Sequence, residues 1–193
     1  MSYCEPDWIS DYHFTNGLRY RLSLEEEAAR RAGRGAATKS LLLVGGIDRE
    51  GVPRLEPAFM IDAVPSLPLA AGDHWIRGAT ADGAELFSLS FAVPEVVDGD
   101  GSSSFAFVVP VQSGWRTRLA RITLSGPGGW ATLGTGERPS VIMRDLRTGQ
   151  VRAILNDLPP EVRTAADAAR MAPEPGLEVL FSRGIPDSSA WKR

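Results

Sequence analysis

Two histidines, His13 and His74, one cysteine, Cys4, and a set of carboxylates are the side chains in this sequence with which hydrolytic or metal chemistry could be done. The sequence contains neither HExxH nor paired cysteines, so it does not supply a standard zinc-ligand set. A self-contained hydrolase would have to use His74 with Asp73 or Asp82 and a nucleophile brought beside them by the fold. Serines are plentiful, yet no GxSxG elbow occurs, and Ser88, Ser90 and Ser102 to Ser104 have strand-face and loop explanations. GPGG at 126–129 lacks the Lys-Ser/Thr ending of a phosphate loop and reads as a turn. In DGDG at 98–101, Asp98 and Asp100 are weak calcium candidates, because the further oxygens and the distant glutamate of an EF-hand are missing. Trp75, Trp115 and Trp130 could form a stacking surface for sugar or peptide, and core or loop anchoring is the competing reading of each.

Positioning any such group falls to short strands. In ELFSLSFAV, Phe87, Leu89, Phe91 and Val93 alternate with Ser88, Ser90 and Ala92, which places the large side chains on one face. RLARITLSG sets Ala120, Ile122 and Leu124 opposite Arg121 and Thr123, and SFAFVVPV puts Phe105 and Phe107 on one side. SLLLVGGI, LEPAFMIDAV, HWIRGAT, WATLG, SVIMRDL, QVRAIL and LEVLFSRG complete the predicted strands. Turn chemistry separates them at 81–83, 96–104, 126–129 and 147–149, and TAADAARM is a short helical insert. No crossover helices are available for a parallel sheet, so the expected fold is all-β, an immunoglobulin-like antiparallel β-sandwich with a short helical N-terminal segment. An open antiparallel sheet or a partly closed barrel would use the same strands.

Residues 1–37 read differently from 38–193. Ser10 or Asp11 could cap a helix through Arg21, Ser23 with Glu26 has capping-box spacing, and RRAGRGAA suits a linker. The net charge of -3 provides no global cationic field, so neither nucleic acid nor an anionic membrane is an expected partner. No apolar run approaches the ~20 residues that span a bilayer, and the acidic start does not resemble a signal peptide. One cysteine forms no internal disulfide and leaves the redox compartment open.

The opening MSYCEPDWISDY, with Cys4, Tyr3, Tyr12 and Trp8 in twelve residues, resembles the Met-turn segment of secreted zinc metallopeptidases of the metzincin type. Met1 matches the methionine beneath the zinc-bound histidines, and Tyr3 matches a position whose hydroxyl in some members reaches the metal or the developing oxyanion. Trp8, Ile9 and Tyr12 match packing positions of the last catalytic-domain helix. The HExxHxxGxxH element of that family belongs upstream, so the resemblance implies zinc for a full-length relative and no cofactor in this chain. It implies further that 38–193 is a non-catalytic accessory domain, with an upstream protease domain and a protein or glycan substrate as partners. An extracellular or periplasmic setting follows from the same resemblance.

Overall fold

The computed structural model describes residues 36–93, 102–147, 151–170, 176–186 and 190–192. The N-terminal helices expected from the sequence, Met1 and Tyr3, and the DGDG aspartates lie outside them. Most described residues are in antiparallel strands, and the contacts divide into two compact units.

The larger unit takes in the described residues of Gly35–Pro139 and Ser182–Arg193. Its first sheet is built around β1 (Thr38–Ile47), which pairs on one side with β2 (Pro53–Leu55) and β3 (Phe59–Ala63) in succession and on the other with β6 (Ser103–Pro110). A run such as SLLLVGGI, apolar at every step, suits a central strand with both faces covered. Ser40 through Ile47 are accordingly all buried. LEPAFMIDAV is not one strand as its composition predicts. Pro57 has no N–H to give a ladder, and the register against β1 slips by one residue between Leu55, opposite Gly45, and Phe59, opposite Leu42. The next amide, Ala58, donates instead to the carbonyl of Gly184 at 2.8 Å.

The second sheet has the order β5 (Glu85–Phe91), β4 (His74–Ala79), β7 (Arg121–Gly126), β8 (Gly129–Leu133). Period-two alternation turns Ile76, Phe91, Ile122, Leu124 and Leu133 into the same core as Leu41, Leu43, Met60, Phe105 and Val109 of the first sheet. This is the sandwich-like arrangement of an all-β unit. GPGG is the turn between β7 and β8, with Gly129 at φ 131°. A short helix absent from the sequence reading, α1 (Trp115–Arg118), buries Trp115 against this core.

Two glycines on inner strands make room for aromatic rings. Gly78 on β4 faces Phe87 on β5, and Gly45 on β1 faces Phe105 on β6. A β-carbon at Gly78 would collide with the Phe87 ring, and one at Gly45 would lie 2.6 Å from Phe105 Cζ. Phe87 in turn stacks on Trp115 with ring centroids 4.7 Å apart.

The smaller unit includes Ser140–Phe181. Here β9 (Thr135–Asp145) lies between β10 (Val151–Leu155) and β11 (Leu177–Gly184). Val141, Val162 and Ala168 form its core, with Met143, Leu155, Val179 and Phe181 against them. The register slips between Val151 and Ala153, and Arg152 at that bulge donates to Asp145 at 2.7 Å. TAADAARM contributes α2 (Ala165–Ala169), started by a capping box. Thr164 Oγ1 accepts from the Asp167 amide at 3.2 Å, while the Asp167 carboxylate accepts from the Thr164 hydroxyl at 2.7 Å and the Thr164 amide at 3.0 Å. The Thr164 hydroxyl, followed by the amide of Arg163, holds the Asp167 carboxyl below the usual carboxylate range.

Gly78→Ala is expected to destabilise the chain by about 1–3 kcal/mol, the usual range for overpacking, read as a lower urea midpoint at unchanged slope; an unaltered midpoint would show that Phe87 can vacate the site freely. For Asp167 the folded pKa lies below the unfolded one. Its contribution is therefore present above the ordinary carboxylate range and disappears as pH falls through the lowered native value. Asp167→Asn should lower the thermal midpoint at pH 7, with the gap from the unmodified chain closing on acidification through that window.

Candidate functional site

The face of the second sheet turned away from the core carries the most distinctive surface chemistry of the larger unit. On β4 the side chains alternate strictly: His74, Ile76 and Gly78 are buried, Trp75 and Arg77 exposed. Cross-strand pairing extends the outward set into rows. Ser90, Trp75, Ser125 and Trp130 lie opposite one another across β5, β4, β7 and β8. The next row is Ser88, Arg77, Thr123 and Thr132. Trp75 is 39% and Trp130 71% exposed, large values for the side chain that gains most from burial. One strand separates them, which puts their backbone positions roughly 10 Å apart at the usual strand spacing.

The Arg77 guanidinium lies over the Trp75 ring, 5.3 Å from its centroid, within cation–π range. Its Nε is 3.9 Å from Glu85 Oε2, too long for a hydrogen bond. Arg121, opposite Ala79 on β7, is also exposed and is the diagonal neighbour of Arg77. The hydroxyls of Thr123 and Thr132 are 3.4 Å apart on the same surface. The result is a hydroxyl-bearing face with two indole rings, two guanidinium groups and one carboxylate on its strands.

Trp115 is not part of it. This residue is 4% exposed and stacked on Phe87, so the reading that grouped it with Trp75 and Trp130 is corrected. Sequence reasoning also missed Arg77, although the alternation in HWIRG already places positions 75 and 77 on one face.

His74 occupies a different place. It points inward, donates from Nδ1–H to Asp73 Oδ1 over 2.8 Å, and packs against Phe91 at 5.7 Å between ring centroids. Gly126 leaves the space its ring fills, since a β-carbon there would collide with the imidazole. Among the described residues no hydroxyl or thiol hydrogen-bonds to His74. Asp82 is not brought to it: its carboxylate accepts from the Thr80 hydroxyl in the β4–β5 turn, and that bond holds its carboxyl below the usual range. The pair His74 and Asp73 thus has the orienting half of a catalytic triad without a nucleophile among the described residues.

His13, Met1, Tyr3, Asp98 and Asp100 lie outside the described residues. Among those described, no group of three or more His, Cys, Asp or Glu side chains could hold a metal ion. Comparison of the chain with family models, with curated proteins and with solved structures gives no match.

Trp130→Phe is expected to reduce the acrylamide-quenchable fraction of the tryptophan fluorescence. Trp115→Phe should raise that fraction, because it removes an emitter whose ring is sealed in the core. Equal effects of the two substitutions would contradict the assignment of Trp130 to an open face.

Proposed function

We propose that this chain is a non-catalytic, immunoglobulin-like β-sandwich module that binds an extended protein or glycan ligand across the outer face of β5-β4-β7-β8. Its setting is a metallopeptidase-like protein, as the resemblance of MSYCEPDWISDY to a Met-turn segment suggests. In that setting the module stabilises the protease domain or brings it to its substrate, and zinc belongs to the catalytic domain of the full-length relative.

The observation that carries the binding role is the row holding Trp75 and Trp130. Exposing two indoles on a strand face, Trp130 at 71% and Trp75 at 39%, forgoes part of the burial that large apolar side chains gain in a core. Placed two strands apart among serine and threonine hydroxyls, they offer apolar ring faces and hydrogen-bonding groups together. A ligand lying across the strands meets both rings at once, and its affinity depends on their joint engagement.

The test is an array of immobilised oligosaccharides and extended peptides, probed with the whole chain and with a Trp75→Ala, Trp130→Ala double variant. At least one class of ligand should be retained by the unmodified chain, and the double substitution should lower its signal at least tenfold, with far-UV circular dichroism unchanged. Retention of every bound ligand by the double variant would remove the face from the function.

A further inference from the structure

Resting on that reading of the face, we infer that its ligand is an extended, β-linked polysaccharide bearing carboxylates. Peptides that join sheets do so by main-chain hydrogen bonding at an unpaired edge. The site here crosses β4 and β7, inner strands whose main-chain groups are taken up by ladders to both neighbours, and takes Trp130 from the edge strand β8. Over the sheet face the groups on offer are side chains: two indoles and a field of hydroxyls. A sugar ring presents an apolar C–H face for the indole and a hydroxylated rim for Ser125 and Thr123. With the two indoles anchored two strand spacings, roughly 10 Å, apart, a ligand that engages both has several rings in line and a ribbon-like, extended linkage.

Charge selects among such ribbons. The strands of this face carry Arg77 and Arg121 against the single carboxylate of Glu85. Among the described residues the Arg77 guanidinium makes no hydrogen bond, its contact with Glu85 being 3.9 Å, and Arg121 forms no ion pair. The Arg77 guanidinium covers one face of the Trp75 ring, so a sugar that meets the open part of that indole places its ring substituents next to a planar fork of donors. A carboxylate on the sugar matches that fork in shape and charge. Arg121, diagonally behind Arg77 at about 7–8 Å by the geometry of antiparallel pairs, extends the same preference to the next unit of the chain.

The test uses the full chain and two glycans that differ only in the carboxylate, a β-1,4-linked mannuronate hexamer and β-1,4-mannohexaose, with hexaglutamate as the peptide counterpart. Tryptophan fluorescence is followed at low ionic strength, where the charged contribution is least screened. The mannuronate hexamer should half-saturate at a concentration at least tenfold below that of mannohexaose. Arg77→Gln should bring the two within about threefold, and Arg121→Gln should narrow the gap by less; both lie on the surface, and circular dichroism checks that they fold. Equal binding of the two glycans overturns the carboxylate inference and leaves the binding face standing. A stronger response to hexaglutamate than to either glycan overturns the glycan assignment with the same remainder. Silence from all three overturns this inference, and the array decides separately whether the face binds anything.

Discussion

Phe91, Phe105 and Phe107 hold the two sheets of the larger unit together. Phe91 comes from β5 in one sheet, the other two from β6 in the opposite one, and the three ring centroids lie 4.9–5.1 Å from each other. Phe105 and Phe107 are stacked, and Phe91 meets both edge-on, the arrangement that the aromatic quadrupole favours. Because the rings span the gap, they set the distance between sheets, and the aliphatic side chains of β1, β4 and β7 fill what remains. The close approach of Phe105 to β1 is possible only because position 45 has no side chain, just as Phe87 needs position 78 to be glycine. Core packing and strand composition are thus one constraint: the large residues of the outer strands are fitted to the smallest residues of the inner ones.

The outward face follows from the same constraint. Once His74, Ile76 and Gly78 are committed to the core, the pleat sends Trp75 and Arg77 outward with no freedom to choose otherwise. Antiparallel pairing then aligns them with Ser125, Trp130 and Thr123 from β7 and β8. The rows on this face are the complement of the buried rows, and their spacing is inherited from the sheet.

Much of this was legible in the sequence, for reasons specific to each element. ELFSLSFAV and RLARITLSG show strict alternation because one side of each strand faces the core and the other does not. The capping box at Thr164 is local chemistry, readable from four residues. Where tertiary context decides, the reading fails. Trp115 looks like Trp75 and Trp130 in the sequence, and only the one-turn helix that carries it, under Phe87, makes it a core residue. LEPAFMIDAV is mostly apolar, yet Pro57 withholds one ladder bond and Ala58 gives its amide to Gly184, a residue over a hundred positions away. The cross-strand neighbours that complete the binding face depend on register, which alternation alone does not set.

The saturation of β1 on both edges has a consequence for how the chain is assembled. Its partners β2 and β3 follow within a few residues, whereas β6 begins at Ser103, after β4 and β5 of the other sheet have been made. Closing so long a loop is slow, and the order of synthesis makes it late. Until Ser103–Pro110 leaves the ribosome, one edge of Leu41, Leu42, Leu43 and Val44 presents open amides and carbonyls beside four apolar side chains, a template for any strand from a neighbouring nascent chain. The segment most completely buried at the end is therefore the one most exposed to misassociation on the way.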